Sequence, residues 1–376
     1  MTGHRYAALV GNGLSIPYNA KLSVPNLTNA LLADLAMLSG NGLAGAALSA
    51  FANGIRGPAA PPGASTFERL LGPLEAAAAA IPHLSHLAGL TSSAGSVQQA
   101  TTTVSDFARD VHRLGLGRVL DRIARESEAR LADQSFIQTV QRWVECFHTL
   151  PGASTAKTIG TLNYDGLVHA AALSLRLGPA DLSTGYDVGS HVVVSGSATL
   201  AAHKLRSTNN LPPADLQILN LHGSLGWLRD ARGEIWKFEL GDLRTNNYWT
   251  EFAAGESDWQ PVVILTDQKT AAVAEHPFSL AYDIFRERLT QADRWMIVGY
   301  GLGDQPVNNV LRSAMGLKTE DARRDLMVLG IDYGKRAADM TREIAQYLGI
   351  DSAQVLVDVA GIPAAIQATS WTRWAA

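Results

Sequence analysis

The stretch "TIGTLNYDGLVHAAAL", residues 158–173, carries the pattern that predicts the fold. Its apolar run stops at Asn163-Tyr164-Asp165, and a helical pattern begins two residues later. Continuous apolar runs of this kind are typical of strands buried on both faces of a parallel sheet, and helical patterns lie between several of them. The sequence therefore predicts an α/β fold with a Rossmann-like open, mainly parallel sheet. The other runs, each ending in Gly or small polar residues, are "RYAALV" (5–10), "LQILNLHGS" (216–224), "PVVILTD" (261–267), "WMIVGYGLGD" (295–304) and "LMVLGIDYG" (326–334).

Residues 26–156 differ from the rest of the chain because they show long helical periodicity and no convincing strand. Alanine-rich segments such as "LEAAAAA" (74–80) occur here, and residues 39–65, rich in Gly, Ala and Pro, predict a loop. We predict that 26–156 is a large inserted helical lobe. Residues 1–25 and 157–376 would then form the Rossmann-like domain, and a length of 376 residues fits two lobes.

Composition excludes several classes of protein and of site. The net charge is −4 and the sequence contains no block of like charges, so nothing indicates a nucleic-acid surface. The N-terminal apolar stretch is too short for a signal peptide or a membrane span, so we expect a cytoplasmic protein without membrane contact. The single cysteine, Cys146, excludes an internal disulfide and a four-cysteine zinc ribbon, and His83 and His86 lack an identifiable third ligand. We expect no metal.

Glycines and polar residues follow the predicted strands. In an open α/β sheet the ligand crevice lies beyond the carboxyl ends of the strands, where helix N-termini point their N–H groups inward. We therefore expect these residues to meet around one pocket. They are Gly11, Asn12, Gly13 and Ser15 after the first strand, then Asn163 and Asp165, then His222, then Tyr300, Gly301 and Asp304, and finally Asp332.

These residues also have ordinary structural interpretations. Two glycines after a strand more often form a tight turn than hold a phosphate. Asp165 and Asp304 lie just before helices, where an aspartate commonly caps the N-terminus. His222 at the end of an apolar strand can be a buried core histidine, although imidazole also exchanges protons near physiological pH. From the residues alone, both interpretations stay open.

Four segments, in chain order, resemble the NAD-site motifs of sirtuins: "GNGLSIPYNAKLSVP" (11–25), "TLNYD" (161–165), "LNLHGS" (219–224) and "IVGYGLGD" (297–304). In that family the motifs read roughly Gly-Ala-Gly-x-Ser, Thr-Gln-Asn-x-Asp, His-Gly and Gly-Thr-Ser-Leu. The chain is more similar to the bacterial sirtuin-like NAD hydrolases of anti-phage defence systems. That closer likeness lies in "FERLLGPLE" (67–75), "LTDQK" (265–269) and the segment 276–311, and the whole resemblance covers residues 6–333.

The resemblance implies a role for each matching position. Asn163 would hold the nicotinamide ribose and the reacting water, Asp165 would support that loop or the carboxamide, and His222 would be the catalytic base. NAD would be the substrate rather than a resident cofactor. Its binding residues would be Gly11, Asn12, Gly13 and Ser15 in the phosphate-binding turn, and Gly299, Tyr300, Gly301, Asp304 and Asp332 along the adenosine half.

Differences from the deacylating sirtuins favour hydrolysis of NAD itself. The zinc-binding cysteine quartet is missing, "NAKLSVPNL" (19–27) stands where those enzymes have Pro-x-Phe-Arg, and the helical insertion is much longer. The resemblance thus implies an NAD+ hydrolase (NADase) that depletes NAD during phage infection, as a homo-oligomer or with a partner such as a HerA-type ATPase. Two alternatives stay open: a module that senses NAD or ADP-ribose without catalysis, and an NAD-dependent protein deacylase.

Overall fold

The computed structural model describes residues 4–37, 45–50, 71, 80, 94–129, 131–152, 156–184, 190–195, 198–265 and 269–376. His83, His86 and most of the segments 67–75 and 74–80 lie outside these residues. Within the predicted loop at 39–65, only residues 45–50 are described, and they are helical.

The strands and helices are numbered in chain order over the described residues. The strands are β1 (Tyr6–Val10), β2 (Lys157–Thr161), β3 (Ser190–Ser195), β4 (Ala198–Lys204), β5 (Leu216–Asn220), β6 (Gly223–Arg229), β7 (Ile235–Phe238), β8 (Gln260–Val263), β9 (Arg294–Val298), β10 (Met327–Ile331) and β11 (Val355–Asp358). The helices are α1 (Val24–Ala36), α2 (Ala94–Glu128), α3 (Gln134–Phe136), α4 (Arg142–His148), α5 (Leu167–Ser174), α6 (Leu240–Thr245), α7 (Tyr248–Ala254), α8 (Lys269–Ala272), α9 (Phe278–Gln291), α10 (Gln305–Leu317), α11 (Glu320–Arg324), α12 (Ala337–Leu348), α13 (Ile362–Ala365) and α14 (Thr369–Ala375).

Six strands form one parallel sheet in the order β11-β10-β9-β1-β2-β5. Both faces of this sheet are buried: Ala7 and Leu9 of β1 join one apolar cluster, while Ala8 and Val10 join the other. Alternate residues of a strand point to opposite faces, so a strand covered on both faces has an unbroken apolar sequence. The predicted α/β class with an open, mainly parallel sheet is confirmed.

The strand order reverses between β1 and β9. The chain runs from β1 outward through β2 to β5, and later returns to the other side of β1 with β9, β10 and β11. Such a reversal leaves a crevice at the carboxyl ends of the two central strands, because the connections leave them in opposite directions. The turns after β1 and β9 border that crevice.

Helices α1 to α4 lie between β1 and β2 in the chain, and no described residue of 26–156 belongs to a strand. Helix α2 packs against α1 and against α7. Gly117 allows the second contact to be close, since a Cβ at that position would lie 2.7 Å from Ala253 Cβ. The helical character predicted for this region agrees with its described residues, while the division into two domains stays a prediction.

Five further strands form an antiparallel sheet in the order β3-β4-β7-β6-β8, which the sequence did not predict. The assignment of 261–267 to the parallel sheet is wrong, because β8 pairs with β6 at the edge of this second sheet. Pro261, which has no N–H to donate, is tolerated on an edge strand. Only Val262 of the four β8 residues is buried, so β8 is covered on one side only. A short apolar run in the sequence does not distinguish such a strand from one that is buried on both faces. Strands β3 and β4 both lie within residues 184–213, where no apolar run was assigned to a strand.

Within the described parts of the chain, every helix is either too short or too polar to span a bilayer.

Candidate active site

A cavity of about 430 Å³ lies at the carboxyl ends of β1, β2, β5 and β9, where the strand order reverses. This switch-point cavity falls within the roughly 300 to 1,000 Å³ typical of small-molecule sites. Most of its polar lining comes from the turns after these strands. Its lining residues are Gly11, Asn12, Leu22, Val24, Leu27, Ile123, Leu162, Asn163, Tyr164, Asp165, His222, Lys269, Gly299, Tyr300, Gly301, Gly303 and Asp304.

Glycines bring the turn after β1 into backbone contact with the 299–304 turn. Gly11 N donates to Val298 O (2.8 Å), and Gly13 N donates to Gly299 O (3.1 Å). A Cβ at Gly13 would lie 2.4 Å from Gly299 Cα, and Gly299 itself has a left-handed φ of +56°. Larger residues cannot occupy these positions unless the backbone moves. These glycines therefore have a structural role that does not depend on a phosphate.

Two other glycines of the 299–304 turn have open space around them. A Cβ added at Gly301 or Gly303 would meet nothing within 4 Å, and both residues line the switch-point cavity. The backbone at these two positions is thus accessible to a ligand.

The 162–166 turn holds Asn163 through its amide nitrogen. Asn163 Nδ2 donates to Gly11 O (3.1 Å) and to Ser15 Oγ (3.0 Å). Ser15 Oγ donates to Asp165 Oδ2, and Asp165 Oδ1 accepts from Leu167 N (3.1 Å). Both amide hydrogens of Asn163 are therefore used, whereas no described residue donates to its Oδ1. The carboxamide thus offers a ligand one fixed, uncharged acceptor.

Asp165 lies in the interior of this turn. Burial raises the pKa of its carboxyl group, and the hydrogen bonds from Ser15 and Leu167 N counter that effect only in part. The N-cap of α5 is Gly166, which has a left-handed φ of +66°. Asp165, the residue before this N-cap, accepts a hydrogen bond from Leu167 N, the first N–H of the helix. Asp165 therefore stabilises both the helix start and, through Ser15, the position of Asn163.

A second part of the lining carries a charged cluster of His222, Asp304 and Lys269. His222 Nε2 lies 3.5 Å from Asp304 Oδ2, at the outer limit of a hydrogen bond. Lys269 Nζ lies 2.9 Å from the same oxygen. Asp304 Oδ1 caps α10 by accepting from Val307 N (3.2 Å), which agrees with its structural interpretation.

Asp304 is an ionised carboxylate at neutral pH. Burial alone would raise the pKa of Asp304, but the neighbouring His222 and then the Lys269 ammonium outweigh it and hold that pKa well below its usual range. The negative charge is thus available to orient an imidazole.

Tyr164 fixes the position of His222. The two rings stack with centroids 6.4 Å apart and planes inclined by 29°. Tyr164 Oη donates to Ile264 O (2.5 Å), while Ile264 N donates to His222 O (2.9 Å). The three residues hold one another in place, so the tyrosine of Asn163-Tyr164-Asp165 has a role that the sequence did not indicate.

Tyr300 organises the 299–304 turn from within. Its hydroxyl lies 2.7 Å from Asn308 Oδ1 and 3.0 Å from Asp304 O, and it accepts from Asp304 N (3.1 Å). Burial raises the pKa of Tyr300 well above its ordinary value, so the hydroxyl stays protonated. Leu302, at a left-handed φ of +55°, accepts from Asn308 Nδ2 (2.7 Å) through its carbonyl. The side chain of Tyr300 therefore shapes the turn.

Most residues predicted for the ligand site line this cavity, and three do not. Gly13 packs against Gly299, and Ser15 is fully buried beside Asn163. Asp332 accepts from Tyr333 N (2.8 Å) and lies outside the cavity lining. The roles predicted for all these positions stay predictions. The predicted residues that line the cavity are Gly11, Asn12, Asn163, Asp165, His222, Gly299, Tyr300, Gly301 and Asp304.

The sequence did not indicate a site role for Lys269 or for the apolar wall of the cavity. Lys269 follows β8, and the segment "LTDQK" that contains it was the one available signal. The wall is formed by Leu22, Val24, Leu27 and Ile123, which come from the turn before α1, the start of α1 and the C-terminal part of α2. Helical periodicity shows which face of a helix is buried, but it does not show which segment covers that face.

Among the described residues, no group of three or more His, Cys, Asp and Glu side chains is placed to hold a metal ion.

Comparison with known proteins finds no matching family model and no matching curated protein. Solved structures of Sir2 enzymes are similar. One, from work on the structural basis of the mechanism and regulation of Sir2 enzymes, is 15% identical with a TM-score of 0.29. That match covers 56% of this chain and 58% of the Sir2 chain, less than two thirds of its length. Another, Sir2Tm bound to a propionylated peptide, is 9% identical with a TM-score of 0.39, and the match covers 97% of this chain and 91% of that one.

Proposed function

We propose that this protein is an NAD+ hydrolase, which converts NAD+ and water into nicotinamide, ADP-ribose and a proton. One observation carries the proposal: Asn163, with an uncharged acceptor oxygen, and His222, beside an ionised carboxylate, line the same cavity at the switch point of a parallel sheet. Crevices at such switch points commonly bind nucleotides.

Cleavage of the nicotinamide N-glycosidic bond places positive charge on the ribose, as in other glycosyl transfers. Nicotinamide leaves as a neutral molecule, so no strong acid is needed. The protein must hold the ribose, position a water molecule and accept one proton. Orientation can lower the barrier by roughly 7 to 11 kcal/mol in well-aligned cases, and a general base accelerates a reaction by about a hundredfold to ten-thousandfold.

Asn163 is suited to holding the ribose. Its Nδ2 is fixed by Gly11 O and Ser15 Oγ, so its Oδ1 has a defined direction. A ribose hydroxyl can donate to this oxygen. Because the carboxamide is uncharged, it stabilises the developing cation without forming a tight ion pair with it.

His222 is suited to accepting the proton from water. Asp304 Oδ2 lies beside Nε2 and favours the tautomer with its hydrogen on Nε2. The Nδ1 lone pair is then the basic site, and no described residue donates to it. Asp304 also stabilises the imidazolium that forms, in the manner of other His–Asp pairs.

Two further features fit a dinucleotide. The exposed backbone at Gly301 and Gly303 lets a phosphate approach closely. Lys269 supplies a positive charge beside Asp304. On the motif resemblance alone, the proposal extends to NAD depletion in anti-phage defence, with a homo-oligomer or a HerA-type ATPase partner.

The test is incubation of the purified full-length protein with NAD+, with and without an acylated peptide, followed by chromatography of nicotinamide and ADP-ribose. We expect equal nicotinamide release in both samples and a loss of about a hundredfold or more in His222→Asn. Asn163→Ala should lose a comparable factor, with folding checked by thermal melting.

His169→Asn is the matched control, because His169 also pairs with a buried aspartate (Nε2 to Asp181 Oδ2, 3.2 Å) but does not line the switch-point cavity. It should keep wild-type activity. Nicotinamide release that requires the acylated peptide would indicate a deacylase. ADP-ribose binding with no turnover would indicate a sensing module, and activity that survives both His222→Asn and Asn163→Ala would rule out the proposed site.

A further inference from the structure

A second cavity, of about 320 Å³, lies between α2 and α7. Its lining on α2 recurs every three or four residues from Asp110 to Asp121, and its lining on α7 runs from Trp249 to Ala254. Residues three or four positions apart lie on the same face of a helix, so the two helices turn one stripe each towards this space. We call it the Arg118 cavity. It shares no lining residue with the switch-point cavity, and typical ligand sites start at roughly 300 Å³.

The position of Arg113 in this lining is fixed by contacts on both helices. Its Nη2 donates to Asp110 Oδ1 (2.7 Å), one turn earlier on α2. A Cβ at Gly255, where α7 ends, would lie 2.6 Å from Arg113 Cζ, so the guanidinium lies directly against the backbone there. The arginine therefore reaches across from α2 to the end of α7 and closes the cavity on that side.

Three buried N–H groups of the lining residues have no hydrogen-bond partner among the described residues. They are Arg113 Nε, Arg118 Nε and Trp249 Nε1, and Trp249 as a whole is 2% exposed. Buried polar groups in folded proteins nearly always have a partner, because burial without one is unfavourable. Guanidinium and indole N–H groups donate and cannot accept, so the missing partner is an acceptor.

The charges of the lining leave one arginine without a counter-charge. Asp110 pairs with Arg113 (2.7 Å), and Asp121 pairs with Arg125, which lies outside the lining. Arg118 forms no ion pair with a described residue. Water in the cavity accepts hydrogen bonds but leaves this charge uncompensated, whereas an anion provides both the acceptor and the counter-charge.

We propose that the Arg118 cavity binds a small organic phosphate monoester, whose phosphate oxygens accept from Arg118, Arg113 and Trp249. A phosphate monoester has three terminal oxygens that all accept hydrogen bonds, whereas a carboxylate has two. Arginine is well suited to such groups because its planar fork donates to two oxygens at once. Leu114 and Ala253 add apolar surface for the organic part of the ester. The proposal does not depend on the proposed NAD chemistry.

The test is ligand-observed NMR titration of the purified full-length protein with phenyl phosphate in a phosphate-free buffer. Phenol, which lacks the phosphate, and inorganic phosphate, which lacks the organic part, are the matched probes. We expect phenyl phosphate to bind at least about tenfold more tightly than either, because the ionic hydrogen bonds and the apolar contact both contribute. Arg118→Met, of similar length but without N–H groups, should weaken phenyl phosphate binding about tenfold.

Arg122→Met is the matched control on the same helix, because Arg122 pairs with Glu126 (3.2 Å) and does not line the Arg118 cavity. Gly301→Leu is the control for the switch-point cavity, since a Cβ at Gly301 meets nothing within 4 Å. Both variants should bind phenyl phosphate as the wild type does, and thermal melting checks that every variant is folded.

Three results would overturn the proposal. The first is wild-type protein that does not bind phenyl phosphate, or that binds phenol or inorganic phosphate equally well. The second is a folded Arg118→Met variant that binds as tightly as wild type, or an Arg122→Met variant that loses as much affinity as Arg118→Met. The third is loss of binding in Gly301→Leu alone, which would assign the phosphate to the switch-point cavity.

Discussion

The turn after β2 and the turn after β9 are built alike and behave differently. Each follows a buried parallel strand and carries an aspartate, Asp165 or Asp304, that accepts a hydrogen bond from an N–H in the first turn of the next helix. Burial raises the pKa of Asp165, whose hydrogen-bond donors are the neutral Ser15 and Leu167 N. Asp304 instead has a pKa far below its usual range, because His222 and Lys269 outweigh its burial.

The difference shows that local structure and electrostatics come from different parts of the chain. A strand, an aspartate and a helix start are encoded within a few residues. The charge state of that aspartate depends on partners that are distant in sequence, Ser15 for Asp165 and both His222 and Lys269 for Asp304. Groups whose surroundings push their pKa values apart are a common basis for acid–base chemistry.

The largest effect on this comparison should come from removing each charge in turn. Asp304→Asn leaves Lys269 and His222 without their carboxylate and should lower the free energy of unfolding at pH 7 by about 3 kcal/mol. Asp165→Asn removes a carboxylate that burial disfavours, so its loss should stay within about 1 kcal/mol. Urea titration measures both values. Equal losses in the two variants would contradict the electrostatic distinction.

The next largest effect on stability should come from disturbing the backbone contact between the turn after β1 and the turn after β9. Gly299→Ala places a Cβ 2.2 Å from Gly13 Cα at a left-handed φ, and we expect a loss of about 1 to 3 kcal/mol in the free energy of unfolding. Gly303→Ala is the matched control, with nothing within 4 Å of the added Cβ, and should change stability by no more than about 0.5 kcal/mol. A neutral Gly299→Ala would show that the two turns are not held in contact.

The pH dependence of stability should have opposite signs for the two aspartates. Because the folded-state pKa of Asp304 is lowered, its contribution is present above the unfolded value of about 4 and is lost as pH falls below it. Because the folded-state pKa of Asp165 is raised, it disfavours folding at pH 7 and this penalty is relieved as pH falls towards 4.

Urea titrations of wild type and both Asn variants between pH 3 and 7 measure this behaviour. As pH falls, the difference in the free energy of unfolding between wild type and Asp304→Asn should become smaller. Over the same range, wild type should become more stable relative to Asp165→Asn. One carboxylate can contribute no more than about 1.4 kcal/mol per pH unit. Curves that move in the same direction would contradict the two pKa shifts.

The tyrosines of the two turns give the smallest contrast. Tyr300→Phe removes a hydroxyl that contacts Asn308 and the backbone of Asp304, whereas the hydroxyl that Tyr164→Phe removes donates to Ile264 O among the described residues. We expect losses of about 2 and about 1 kcal/mol respectively, because the Tyr300 hydroxyl is buried and bonds to both a side chain and the backbone of its own turn. Thermal melting compares the pair, and a larger loss in Tyr164→Phe would reverse the assignment.

Much of this architecture could be predicted from the sequence because it is local. Apolar runs that end in Gly11, Asn163, His222 and Gly299 predicted a parallel sheet, and the carboxyl ends of parallel strands meet at one edge. The placement of these residues in one cavity follows from that geometry. Whether they act on NAD does not follow from it.

Other features depend on non-local pairing and were missed. The run at 261–267 has the composition of a buried strand, but β8 pairs with β6 in the antiparallel sheet, and this pairing brings Lys269 to Asp304. Strand β11, next to β10, was not predicted, although Val355, Leu356 and Val357 form a short apolar run; only Val355 of its four residues is buried. Asp332 follows β10 as predicted but does not line the cavity.

We propose that the turn after β2 and the turn after β5 bring Asn163 and His222 to one ribose. A crystal structure of the full chain with ADP-ribose tests it most directly. We expect ADP-ribose in the switch-point cavity, with a hydroxyl of its terminal ribose about 3 Å from Asn163 Oδ1 and the anomeric carbon facing the His222 ring. ADP-ribose bound elsewhere, or in this cavity with its terminal ribose away from both side chains, would contradict it.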